Sequence, residues 1–218
     1  MRKDLEIVSF DLQGTLSDSR FSDEFWRDVF PQAFAMKHQV SFSEAKKTLQ
    51  KQFSAWGKYD YRYYSYKYWQ EQLGLEPIRE IADRMKHRPL FDIRFVPLLE
   101  MISKEKKIII SSTTTDFIDL ELGEYGKYFY KAYSSLDHFG IAGKPAELFK
   151  KIAQELGVSP QAILHIGDNK EMDVVNAKSA GLQALFIPKG ISMKQKLIIL
   201  EKELRTHHTS HLSSKKST

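Results

Sequence analysis

A short apolar run, Ile7-Val8-Ser9-Phe10, ends on a carboxylate, Asp11, and breaks at once into Leu12-Gln13-Gly14. A buried strand of this kind delivers Asp11 to the rim of a sheet, where open α/β folds bind their ligands. The pattern recurs along the chain. Lys107-Ile108-Ile109-Ile110 leads into Ser111-Ser112-Thr113, and Ala162-Ile163-Leu164-His165-Ile166 leads into Gly167-Asp168. Gln183–Ile187 and Tyr128–Tyr133 read as two further strands. Helical spacing fills the gaps: Pro97 to about Lys104, a helix from about Thr115, Pro145–Leu156 closed by Gly157, Glu171–Ala180 closed by Gly181, and Ser192–Leu204. Strands that alternate with helices imply βαβ units, hence a doubly wound parallel sheet of Rossmann-like α/β type with helices on both faces.

The alternation is interrupted once. From about Ser17 to His87 apolar residues fall at helical spacing and no strand is predicted. A helix starting at Ser22-Asp23-Glu24 is expected to stop or break at Pro31. Ser41-Phe42-Ser43-Glu44 has capping-box spacing ahead of a second helix, through about Ala55. A third covers about Tyr64–Leu73 and stops at Gly74, and a fourth covers about Pro77–Met85. The predicted organisation is a core of residues 1–16 and 93–204, an inserted all-helical cap of residues 17–92, and a disordered polar and basic tail of residues 205–218.

Composition excludes more than it identifies. The chain has no cysteine, which removes disulfides, thiolate metal sites and a cysteine nucleophile, and fits a cytoplasmic setting. The charged N-terminus has no long apolar segment behind it, so no signal peptide is predicted. No apolar run approaches the roughly 20 residues that a membrane span requires. The net charge of +5 lies wholly in residues 189–218, where six lysines and Arg205 face Glu201 and Glu203. A nucleic-acid binder would carry that excess on a folded face; here it reads as a solvated tail, and neither nucleic acid nor membrane is an expected partner.

Asp11, Ser111 and Asp168 each stand where an apolar strand ends, and parallel strands bring such ends to one edge. Lys144-Pro145 lies in the loop that opens a helix, and Asp173 follows Asp168 by five residues. A carboxylate nucleophile, a hydroxyl donor, a cation and further carboxylates suit phosphoryl transfer. The carboxylates hold Mg²⁺, while the cation and hydroxyl neutralise charge on the phosphoryl oxygens.

Asp11-Leu12-Gln13-Gly14-Thr15-Leu16, Ser111, Lys144-Pro145 and Gly167-Asp168-Asn169-Lys170-Glu171-Met172-Asp173, in that order, resemble the four-motif signature of the haloacid dehalogenase (HAD) superfamily. The match spans residues 5 to about 188, with a helical insert where that superfamily carries a C1-type cap. The resemblance implies a hydrolase, chiefly a phosphatase acting on a small phosphorylated metabolite through an aspartyl-phosphate. Asp11 would be the nucleophile. Ser111, helped by the backbone N–H of Ser112, would bind the phosphoryl group. Lys144 would hold nucleophile and phosphate together. Asp11, Asp168 and the main-chain carbonyl of Gln13 would bind Mg²⁺, with Asp173 either joining the metal shell or orienting Lys144.

Gln13 departs from the pattern. Phosphatases of the superfamily carry a second aspartate there, which protonates the leaving group and then activates water. A carboxamide cannot exchange a proton near neutral pH, and positioned acid–base catalysis is worth on the order of 10²–10⁴-fold. Three accounts follow: an activated leaving group that needs no proton, a proton donor elsewhere, or a site that is slow and serves binding. Dehalogenases also lack the second aspartate but lack Gly167-Asp168 as well. A phosphonatase would need a cap lysine, for which Lys58 and Lys67 are the available residues. The stretch Phe53–Trp69 is dense in aromatics, read chiefly as helix packing and secondarily as a specificity surface in which Arg62 contacts an anionic substrate. His165 reads as a strand residue, and His207, His208 and His211 as tail residues.

Overall fold

In a computed structural model, which describes residues 5–56, 60–85 and 91–214, the chain folds around a five-stranded sheet in the order β3-β2-β1-β4-β5. The strands are β1 (Ile7–Phe10), β2 (Lys107–Ser111), β3 (Lys131–Ser134), β4 (Ile163–Gly167) and β5 (Gln183–Phe186). Every pairing is parallel. The doubly wound sheet expected from the alternation is present, with β1 at its centre. β1, β2 and β4 are buried throughout, as a sheet covered on both faces requires. Val8 and Phe10 pack with Ile109, Leu164 and Ile166 on one face, whereas Ile7 packs with Ile108, Ile110 and Ile163 on the other.

Registers place the functional edge. Phe10 lies opposite Ile109 of β2 and opposite Ile166 of β4. Asp11 is thus one residue past a shared rung, and Ser111 and Asp168 are two past it. Asp11 N–H continues the ladder into the turn, donating to the Ile166 carbonyl at 2.8 Å.

Between β1 and β2 the first helix runs unbroken as α1 (Arg20–Glu24), a π-turn Phe25–Val29 and α2 (Phe30–His38). Pro31 was expected to end or interrupt it. Instead it occupies the first turn of α2, where its missing N–H costs little because the preceding turn already bonds i to i−5, Phe30 N–H donating to the Phe25 carbonyl. Then come α3 (Phe42–Trp56), α4 (Tyr61–Tyr64), α5 (Tyr66–Leu73) and α6 (Ile78–Ala82). The capping box is formed: Ser41 N–H donates to Glu44 Oε2 at 2.9 Å and Glu44 N–H to Ser41 Oγ at 3.2 Å. The predicted third helix is α5, which starts two residues later than expected because Ser65 is extended and caps it with its own side chain. Gly74 ends α5 at φ +62°. These helices enclose an apolar cluster of their own built on Phe21, Phe25, Phe30, Tyr66 and Trp69, which Phe117, from beyond β2, joins.

Downstream, Pro97 sits in the first turn of α7 (Val96–Glu100), which is shorter than expected. Next come α8 (Thr115–Leu122), α9 (Ser135–Phe139), α10 (Ala146–Leu156), a π-turn Lys170–Val175 continuing into α11 (Asn176–Ser179), and α12 (Met193–Ser214). Strand β3 begins at Lys131, later than Tyr128, because Gly123–Tyr128 winds as a 3₁₀ turn. The last helix was expected to stop near Leu204 ahead of a disordered tail at 205–218. Its backbone instead stays helical to Ser214, and residues 215–218 of the expected tail lie outside the described residues. No helix among the described residues is long and apolar enough to cross a membrane.

Candidate active site

Asp11, Lys144, Asp168 and Asp173 meet at the carboxyl edge of the sheet. Lys144 comes from the loop ahead of α10, held in place where Asn176 Nδ2 donates to its carbonyl at 3.0 Å. Its ammonium donates to Asp11 Oδ1 at 2.6 Å and bonds Asp173 Oδ1 as well. Asp173 is fully buried; the ring of His165 shares the same oxygen, its Nε2 3.2 Å from Oδ1, and Asn169 N–H donates to Oδ2 at 2.7 Å. Ser9 Oγ lies 2.9 Å from His165 Nδ1. An ionised Asp173 can only accept, so His165 carries its proton on Nε2 and accepts from Ser9 at Nδ1. A chain of bonds therefore runs from Ser9 through His165, Asp173 and Lys144 to Asp11.

The electrostatics follow from burial set against pairing. Burial pushes the Asp11 carboxyl up to about 6, a rise that Lys144 opposes and the charges of Asp173 and Asp168 assist. For Asp173 burial also works upward, but Lys144 and His165 outweigh it and hold the carboxyl below its usual range. Burial would strip the Lys144 proton, yet Asp11 and Asp173 keep the ammonium charged. Burial lowers the His165 pKa, which keeps the ring neutral.

The same group of residues could hold a metal ion. Asp11, Asp168 and Asp173 offer carboxylate oxygens within 4.8 Å of one another. Three carboxylates face one buried ammonium, leaving an excess of negative charge. Asp168 Oδ2 is buried without a hydrogen bond, and the exposed Lys189 ammonium stands 3.4 Å from it. Burial raises the Asp168 pKa, partly offset by Lys189. Oxygen donors and surplus negative charge fit a hard divalent cation such as Mg²⁺. Gly14 belongs to this geometry: at φ +82°, a Cβ there would lie 1.9 Å from Asp168 Oδ2.

Ser111 is buried at the end of β2, where its Oγ accepts from Thr113 N–H at 3.4 Å. Ser112 and Thr113 border a cavity of about 420 Å³ between the sheet edge and the helical insert, lined also by Gln13, Ser22, Trp26, Phe53, Tyr63 and Tyr64. The aromatic-rich stretch therefore divides. Tyr66 and Trp69 are core, while Phe53, Tyr63 and Tyr64 reach the cavity. Arg62 does not line it: its guanidinium pairs with Asp60 at 2.5 Å and lies 3.4 Å from the centre of the Trp56 ring. Lys67 is exposed on α5, and Lys58 lies outside the described residues.

Two residues that sequence reasoning missed complete the site. His165 was read as a strand residue, which it is, but it also backs Asp173. Glu121 on α8 is only 2 % exposed and takes a hydrogen bond from Gln13 Nε2 and another, at 2.5 Å, from Ser17 Oγ. Burial pushes its carboxyl up to about 7, against the two hydrogen bonds and with the charge of Asp11. A signal existed: Glu121 falls at helical spacing on the same stripe as the buried Phe117, Ile118 and Leu122.

Fold and edge place the protein among α/β enzymes that work at the carboxyl ends of parallel strands. More narrowly, it belongs to the haloacid dehalogenase-like hydrolases, whose family model matches residues 5–181. Among curated proteins it is similar to the GMP/IMP nucleotidase YrfG of Escherichia coli K12, with 25 % identity over 171 residues covering 77 % of this chain and 76 % of that one. Among solved structures it resembles a HAD phosphatase from Thermococcus onnurineus, with a TM-score of 0.66, 21 % identity and coverage of 86 % and 88 % of the two chains. A predicted phosphoglycolate phosphatase from Haemophilus somnus shares the fold at a TM-score of 0.54 and 15 % identity, over 89 % and 92 % of the chains.

Proposed function

We propose that the protein is a Mg²⁺-dependent phosphatase that hydrolyses a small phosphorylated metabolite through an aspartyl-phosphate on Asp11. The observation that carries this reading is the Lys144 ammonium bonded to both Asp11 and Asp173, beside a buried Asp168 oxygen that the exposed Lys189 approaches, at 3.4 Å. Lys144 draws the Asp11 carboxylate and an incoming phosphate together against their mutual repulsion. Ser111 and the Ser112 N–H bind the phosphoryl oxygens. Asp173, with its oxygens committed to Lys144, His165 and Asn169, orients the lysine. Asp11, Asp168 and the main-chain carbonyl of Gln13 would hold the metal ion, which supplies charge neutralisation between carboxylate and phosphate. Asp11 attacks phosphorus, the bond to the leaving group breaks, and water then hydrolyses the acyl-phosphate to free Asp11.

The helical insert acts as the cap, and the cavity beneath it suits a planar substituent among Trp26, Phe53, Tyr63 and Tyr64. Together with the nucleotidase relative, that lining puts nucleoside monophosphates in the first rank of substrates to try. Phosphate release with Mg²⁺ from aryl, acyl, sugar and nucleoside phosphates is the test, and turnover that Asp11→Asn abolishes is the expected result. A second reading, a catalytically weak protein that binds a phosphorylated ligand, rests on Gln13 being turned toward Glu121 and unable to exchange a proton. Activity that appears only in Gln13→Asp selects it.

A further inference from the structure

Gln13 is held by a device of its own. Its Nε2 donates to Glu121 Oε1, while Ser17 Oγ donates to Glu121 Oε2 at 2.5 Å and lies 3.2 Å from the Leu12 carbonyl. The buried carboxyl thus ties both ends of the 13–17 loop to α8. Because the carboxamide is planar, engaging its nitrogen at Glu121 also fixes the direction of its oxygen. Gln13 borders the cavity with Ser112 and Thr113, whereas Glu121 does not reach it. With Nε2 engaged by Glu121, the amide oxygen is the acceptor that Gln13 can offer the cavity.

Resting on the phosphatase reading above, we propose that Glu121 is a positioning residue that fixes the Gln13 carboxamide so that its oxygen orients the water attacking the aspartyl-phosphate. In that step the water oxygen bonds to phosphorus as the bond from phosphorus to the Asp11 oxygen breaks. The electron pair returns to Asp11 as its carboxylate, and both water protons leave on the product as H₂PO₄⁻. The amide takes no proton; it accepts one hydrogen bond and aims a lone pair. Glutamine serves the attacking water of GTP hydrolases in this way. An acyl-phosphate, with carboxylate as leaving group, needs alignment more than it needs a base. Position 13 therefore assists the second half-reaction and contributes no acid to the first.

The consequence separates kcat from kcat/KM. Formation of the aspartyl-phosphate sets kcat/KM, and its hydrolysis sets kcat when hydrolysis is slow. The test uses full-length protein at pH 8 with Mg²⁺ and p-nitrophenyl phosphate, whose leaving group needs no proton, in steady-state and rapid-mixing modes. Glu121→Ala is expected to lower kcat about tenfold to a hundredfold, to lower KM in proportion, and to give a stoichiometric nitrophenolate burst with phosphate retained on the protein. Gln13→Ala, at a half-buried position, should show the same signature and keeps the test alive if Glu121→Ala fails to fold. Glu121→Gln, which keeps an acceptor toward Gln13, should recover most of the lost kcat. A fall in kcat/KM matching that in kcat, with no burst, overturns the proposal. So does a Glu121→Gln protein as slow as Glu121→Ala, which would make the carboxyl itself a proton carrier. Wild-type protein without turnover sensitive to Asp11→Asn overturns the phosphatase reading and this inference with it.

Discussion

Replacing Glu121 by glutamine should stabilise the protein, and the gain should depend on pH in a calculable way. Glu121 is 2 % exposed, and its hydrogen bonds come from the neutral Gln13 and Ser17. Burial raises its pKa from 4.5 to about 7 in the folded state. Between those values the folded protein keeps a proton that the unfolded chain has released. The protonated carboxyl therefore contributes stability that is fully present below pH 4.5 and is lost as pH rises through 7. Two and a half pK units at 1.36 kcal/mol each make the loss about 3 kcal/mol. Glutamine fills nearly the same volume, can accept from Gln13 and donate toward Ser17, and does not titrate. Urea unfolding of both proteins with a chelator present should show the stability gap widening in favour of Glu121→Gln by roughly 2–3 kcal/mol between pH 5 and pH 8. In thermal melts at pH 8 the gap corresponds to roughly 5–10 °C for a chain of this size. The Asp11 charge is itself one source of the Glu121 shift, whereas the raised Asp168 pKa is common to both proteins and drops out of the comparison. A gap that stays constant with pH, or closes as pH rises, refutes the argument that Glu121 is a desolvated carboxyl with no cationic partner among the described residues.

Lys144→Met leaves Asp11 and Asp173 buried around a lost cation; urea unfolding at pH 8 should register a loss of about 3–5 kcal/mol, shrinking at pH 5 as carboxyls protonate, with phosphate release gone at both. Gly14→Ala sets a Cβ 1.9 Å from Asp168 Oδ2 at φ +82°. Calorimetric titration with Mg²⁺ should then show affinity down about tenfold or more, alongside a stability loss of about 1–3 kcal/mol from the strained backbone. Ser41→Ala removes the cap of α3, which should cost about 1 kcal/mol in urea unfolding and leave phosphate release unchanged.

What was legible in the chain was whatever physics writes locally. Apolar runs ending at Asp11, Ser111 and Asp168 became adjacent parallel strands, because burial on both faces demands apolar residues throughout and a parallel sheet aligns the ends. The Ser41–Glu44 box opened a helix and the glycines at 74 and 157 closed helices where expected, each through contacts within one turn. Pro31 misled because the π-turn that absorbs it depends on packing within the Phe25 and Phe30 cluster. The tail misled because it has little to bury, while helix can propagate from α12 one residue at a time.

Gln13 and Glu121 show the deeper limit. Gln13 stood out because it occupies a position in a motif; Glu121 did not, because α8 also carries Asp116 and Asp119, and acidic residues on a helix ordinarily face water. Only the spacing of Glu121 on the stripe of Phe117 and Ile118 set it apart, and a buried charge is read as an error in a pattern unless a partner is in view. The partner is Gln13, more than a hundred residues upstream. A glutamate at position 13 would have faced Glu121 as a like charge at hydrogen-bonding distance, a pairing that forces one of the two to hold a proton. The amide removes that conflict and converts it into a hydrogen bond. The residue that looked like a defect at position 13 and the acid that looked misplaced at position 121 are thus one arrangement.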